Sequence, residues 1–119
     1  MISIENILSL ADPDMAPEVV MPGAEKIISG EPLQNIWNVY SSADGKMHTG
    51  IWDCQAGAWQ VHYSEDEVCI ILAGESILTD LNGQQKTVQA GDQFVIPAGF
   101  KGTWQVPSYC KKVYVIYEA

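Results

Sequence analysis

From position 37 onward, short apolar runs alternate with clusters of turn-forming residues at close, even spacing. Runs at 47–54, 58–63, 67–72, 76–81, 86–89, 93–96, 103–106 and 111–117 predict strands. Ser42-Ala43-Asp44-Gly45, Gln55-Ala56-Gly57 and Ser64-Glu65-Asp66 supply turns between them. Asn82-Gly83 predicts a two-residue hairpin of type I′, whose central positions both need positive φ. Helical periodicity is almost absent. Many short strands with this spacing predict an all-β sandwich or barrel.

The first 36 residues differ. Residues 2–10 suit one or two helical turns, stopped by Asp12-Pro13-Asp14. Pro13, Pro17, Pro22 and Pro32 then punctuate the chain, so 1–36 reads as an extended N-terminal arm. Short edge strands fit at 19–21 and 26–29. The arm is expected to pack on the barrel, residues 37–119, or on a partner.

Charge and cysteine content narrow the function classes. A chain of 119 residues is long enough for one core. A net charge of −9 repels phosphate backbones and anionic lipid, so neither nucleic acid nor a membrane is an expected partner. Cys54, Cys69 and Cys110 form no C-x-x-C pair, and reduced thiols in the cytoplasm are the expectation. Cys54 and Cys110 read as small buried apolar residues. The start, Met1-Ile2-Ser3-Ile4-Glu5, lacks the basic region of a signal peptide, and the apolar run 68–73 is far too short to span a bilayer.

Two stretches carry more than pattern. Glu67 is followed by six residues and Gly74; Gly91 is followed by five residues and Pro97-Ala98-Gly99. Gly91-Asp92 suits a tight turn, and Pro97-Ala98-Gly99 ends a strand. The two stretches resemble the cupin motifs G-x5-H-x-H-x3,4-E-x6-G and G-x5-P-x-G-x2-H-x3-N, over residues 37–118. The resemblance implies an RmlC-like jelly-roll β-barrel. Gly50-Ile51-Trp52-Asp53-Cys54, Glu65-Asp66-Glu67, Ile96-Pro97-Ala98-Gly99-Phe100 and Gly102-Thr103-Trp104 are together similar to small cupins related to the (S)-ureidoglycine aminohydrolase cupin domain.

Metal-binding members of the superfamily typically hold their ion with three histidines and a glutamate. By that resemblance Glu67 takes the glutamate position, and counting back four intervening residues puts His62 at the second histidine. Gln60 and Gly102 fall on the other two. One imidazole and one carboxylate fall short of the three protein ligands that catalytic metals usually have. No cofactor is therefore expected; a divalent transition metal, were one bound, would rest on His62 and Glu67.

Strand alternation groups Gln60 with His62, Glu67 with Cys69, and Gly102 with Trp104. Glu67 leads the candidates, because an acidic group opening the run Val68-Cys69-Ile70-Ile71-Leu72 must find partners or shift its pKa. His62 is its candidate catalytic companion. Gln60, Cys69, Trp104, Trp52 and Lys112 are the candidate ligand-binding residues. Trp104 and Trp52 would wall the pocket, or serve as ordinary core aromatics. Lys112 pairs with Glu67 or an acidic ligand inside the barrel, or faces water at a strand end. His48 belongs to no motif and is assigned to the surface.

Three functions follow. The first is a polar interior pocket that binds a small metabolite. The second is an aminohydrolase-like enzyme acting on a ureido or amino-acid-type metabolite, as the resemblance implies, with Glu67 as general acid/base. The third is a non-catalytic sensing or accessory subunit. The closing run, 111–117, is apolar on both faces and predicts a homodimer in which the arm or an edge strand supplies cover.

Overall fold

The computed structural model describes the whole chain, Met1–Ala119. Its strands are β1 (Glu18–Val20), β2 (Ile27–Gly30), β3 (Gln34–Ser41), β4 (Met47–His62), β5 (Asp66–Asp80), β6 (Gln85–Gln89), β7 (Gln93–Ile96) and β8 (Lys101–Tyr117). They form one antiparallel sheet in the order β1-β3-β4-β8-β5-β6, with β2 also on β4 and β7 also on β5. The architecture is all-β, as the spacing of the apolar runs predicts, and is the jelly roll that the resemblance implies. No helix is long and apolar enough to cross a membrane.

Three strands are longer than their apolar runs. Residues 47–54 and 58–63 lie almost entirely in the single strand β4, 67–72 and 76–81 almost entirely in β5, and 103–106 and 111–117 both lie in β8. The breaks between them are bulges. The β4–β8 register shifts between Gln55 and Gly57, and the β5–β8 register shifts between Gly74 and Ile77. Pro107 falls in the β8 segment that skips pairing, between Val106 and Tyr109, where its missing N–H costs no ladder bond. Glycine and proline mark bulges as readily as turns, so sequence spacing alone could not separate the two. The two halves of β4 pair with β3 and β2 and those of β5 with β7 and β6, whereas β8 pairs with β4 and β5 through both its halves.

The Asn82-Gly83 turn also departs from expectation. Only Gly83 has positive φ, at 82°, and Gly83 N–H donates to the Asp80 carbonyl at 3.1 Å. Asp80 N–H donates to the Gln84 carbonyl, closing a three-residue loop. The cause is the Asp80 side chain, whose Oδ1 accepts the N–H of Asn82 at 2.8 Å and of Gln84 at 3.0 Å.

The arm belongs to the same sheet. Residues 4–6 form one 3-10 turn, β1 pairs with β3, and β2 pairs with the second half of β4. β3 begins at Gln34 and so crosses the 36/37 boundary. The core gathers Trp52, Cys54, Trp59, Cys69, Ile71, Trp104, Val106, Cys110 and Tyr114. β8 runs between β4 and β5: Tyr114 turns inward, while Val113 and Val115 lie opposite Ile51 and Val68 on the outer face.

Candidate functional site

Alternation along β5 turns Glu67, Cys69 and Ile71 inward, and the same phase on β8 turns Lys112, Tyr114 and Ile116 inward. In the β5–β8 register Glu67 lies opposite Ile116 and Lys112 opposite Ile71, so the two side chains meet along the same inner face. Lys112 Nζ lies 2.8 Å from Glu67 Oε2, and each side chain is only 5% exposed. The ammonium also stands 4.5 Å from the ring centre of Trp52 and 4.3 Å from that of Trp104. A carboxylate and two π faces together replace the water such a charge would lose on burial. Burial alone would push the Lys112 ammonium down, but Glu67 and then Cys69 outweigh it and hold the group above its ordinary value.

The indoles are themselves fixed. Trp104 Nε1–H donates to Ser76 Oγ at 2.9 Å, and Trp52 Nε1–H donates to Gln34 Oε1 at 2.8 Å. Trp59 completes the group, with its ring centre 6.4 Å from each of the other two. Burial, and then the charge of Glu67, push the Tyr63 hydroxyl well above its usual range. Tyr114 is pushed to about 12 by the same two causes, partly opposed by Lys112. Cys69 is fully buried, and its thiol rises to about 12 mainly through desolvation.

The second motif supports this arrangement from below. Tyr63 N–H donates to the Phe100 carbonyl at 2.9 Å, and Gly99 N–H donates to the Tyr63 carbonyl at 2.7 Å. Ala98 N–H donates to Asp66 Oδ1 at 2.8 Å. The Pro97–Phe100 loop therefore clamps the end of β4 and the start of β5, next to Glu67.

A cavity of about 580 Å³ opens onto these groups. The ion pair, Trp52, Trp59, Trp104, Tyr63 and Tyr114 line it from the barrel, and Glu18, Val20, Met21, Pro22, Gly23 and Lys26 line it from the arm. Gln60 and His62 also border it, but both are solvent-exposed.

That placement corrects the expected grouping. Gln60 and His62 do share a face, but it is the outer one: they pair with Thr103 and Lys101, whereas Trp59 pairs with the buried Trp104. The bulge between Gln55 and Gly57 is the reason. It shifts the phase of β4, so that Trp52 and Cys54 turn inward before it and Trp59, Val61 and Tyr63 after it. Leaving three intervening residues before Glu67 instead of four reaches Tyr63, the inward residue. The other correction concerns His48, which is half-buried, borders the cavity and shares a 2.7 Å hydrogen bond with Ser41 Oγ through Nδ1. It lies opposite the inward Ile116. Trp59, Tyr63 and His48 are thus site residues that the motifs did not mark.

The four metal positions do not fit an ion. Two of them, Gln60 and His62, are on the outside, and Gly102 carries no ligand atom. A Cβ at 102 would collide with the Thr79 carbonyl oxygen and meet Phe100 Cζ at 3.0 Å, so that position has no room for an imidazole. No three His, Cys, Asp or Glu side chains converge anywhere in the chain.

A jelly roll whose two motif stretches meet around one interior carboxylate is the cupin architecture. The family profile of the EutQ-like cupin domain matches residues 41–114, and the chain belongs to that family. Among solved structures it is similar to a DUF861-family protein from Pseudomonas syringae pv. tomato, with TM-score 0.79 and 21% identity. That match covers 88% of this chain and 46% of the other, so the chain spans under half the length of that relative. It is also similar to a putative ethanolamine utilization protein from Salmonella typhimurium, with TM-score 0.66 and 21% identity over 88% of this chain and 98% of the other. A predicted oxalate decarboxylase from Thermotoga maritima matches with TM-score 0.70 and 19% identity, over 94% and 100% of the two chains. No curated protein matches.

Proposed function

We propose that this cupin binds a small polar metabolite in the cavity over the Glu67–Lys112 pair. The carrying observation is the recess itself. A volume of about 580 Å³ suits a small molecule, and its lining sets three indoles among many polar and charged side chains, which suits a polar ligand. Glu67, Tyr63 and His48 supply the directional polar contacts, and Trp59 and Tyr114 supply apolar area. Gln60 and His62 meet the ligand only at the exposed rim.

The test is a thermal-shift screen with amino acids, ureido compounds and small organic acids. A ligand at 100 times its Kd stabilises the fold by about 2.7 kcal/mol, a readily measured shift. Tyr63→Phe is expected to weaken the response to a hit by removing one polar contact. A panel-wide absence of shifts, or a hit indifferent to Tyr63→Phe and Trp59→Ala alike, would remove the cavity from consideration.

The narrower reading is an aminohydrolase-like reaction with Glu67 as the proton-transfer group. What supports it is that Glu67 is a buried carboxylate at the cavity, beside the raised hydroxyl of Tyr63. Ammonia release from a stabilising ureido or amino compound, lost in Glu67→Gln, separates that reaction from a binding or sensing role.

A further inference from the structure

We propose that Lys112 is this cupin's built-in cation: its ammonium occupies the carboxylate that a metal ion would otherwise use, and the domain works without a metal at Glu67. The proposal stands apart from the identity of any metabolite, because it concerns what neutralises Glu67.

The geometry supports it at each point. Of the four positions by which the superfamily holds an ion, Glu67 alone is an inward ligand, and its Oε2 is 2.8 Å from Lys112 Nζ. The ammonium is flanked by indole faces at 4.5 and 4.3 Å, which offer no lone pairs to a transition metal but do attract a compact monovalent cation. The position that would hold the third histidine is sealed by the Thr79 carbonyl against Gly102. No fully buried side-chain polar atom is left without a partner, so nothing in the interior calls for an added ion. The charge balance is local: one carboxylate, one ammonium, and a cage fixed by Ser76 and Gln34.

Two measurements decide the question. The first uses the wild-type chain with Zn²⁺, Mn²⁺, Ni²⁺ and Fe²⁺, each followed by calorimetry. The expected result is no binding that Glu67→Gln abolishes; stoichiometric binding lost in that variant would overturn the proposal.

The second uses Lys112→Ala, which leaves a carboxylate inside an empty cation cage. Its Tm is expected to fall by on the order of 10 °C or more. Ethylammonium chloride, but not sodium chloride at equal ionic strength, is expected to restore at least half of that fall and to quench indole fluorescence saturably. A flat response in both would overturn the proposal. Should Lys112→Ala not fold, Lys112→Ala/Glu67→Gln removes the stranded charge and is expected to fold without responding to the amine. If neither variant folds, the lysine is needed for packing rather than charge, and the proposal fails.

Discussion

The indole of Trp104 donates its buried N–H to the hydroxyl of Ser76 on the neighbouring strand, at 2.9 Å. That bond orients the ring whose face lies 4.3 Å from Lys112 Nζ. A serine with no exposed surface thus acts on the charge at the centre of the barrel through the aromatic ring it holds.

Ser76→Ala is accordingly expected to cost about 1–3 kcal/mol, since it strands a buried donor. Urea unfolding measures the cost directly. A change below about 0.5 kcal/mol would show that the indole finds another acceptor or does not need one.

Breaking the ion pair from either end should be more damaging than removing it whole. Lys112→Met and Glu67→Leu each leave one uncompensated buried charge, at an expected cost of about 3–5 kcal/mol. The double variant replaces both by apolar groups and is expected to recover most of that loss. A double-mutant cycle tests this; simple additivity of the two losses would mean that the charges do not interact.

Alkaline pH should destabilise the fold. Cys54 and Cys69 rise to about 12 from an ordinary 9.0, and Lys112 is raised above 10.5. A raised pKa means that the native state keeps a proton the unfolded chain releases, so stability is fully present below the unfolded pKa and lost as pH climbs through the folded one. The loss should begin near pH 9 with the two thiols and steepen above 10.5 with Lys112, each group adding up to about 1.4 kcal/mol per pH unit. Denaturation midpoints from pH 7 to 11 report the slope, and Cys54→Ala should flatten its onset. A midpoint constant through pH 10 would contradict the burial argument.

Gly102→Ala is expected to cost about 1–3 kcal/mol or more, because the new methyl overlaps the Thr79 carbonyl in the β5–β8 pairing. Gly83→Ala offers the contrast. Its added methyl meets no atom within 4 Å, so only the strain of φ +82° acts, and the cost should be smaller. Parallel thermal melts compare them, and equal losses would place the Gly102 effect in its backbone rather than in crowding.

The all-β architecture and the inward carboxylate were both legible in the sequence. An acidic residue opening a run as apolar as Val68-Cys69-Ile70-Ile71-Leu72 has few ways to exist except paired. The partner was harder to see. The pairing of β5 with β8 puts Lys112 and Glu67 on one inner face, opposite Ile71 and Ile116, and a strand-end lysine reads equally well as solvated. The placement of Gln60 and His62 failed for a different reason: it took four intervening residues before Glu67, whereas the phase of β4 after the Gln55–Gly57 bulge turns Trp59, Val61 and Tyr63 inward. A motif spacing that admits three or four residues already held the correct answer, Tyr63. The cavity wall supplied by the arm leaves no local signal, because it depends on where β1 and β2 dock.

That wall has an evolutionary consequence. Residues 20–23 and Lys26 face the recess from a segment that contributes nothing to the ion pair or its indole cage. Variation there can remodel what the chamber admits while the barrel's interior chemistry stays intact. Under the proposed binding role, part of the chamber's outline is thereby set by a stretch that can drift at its own rate.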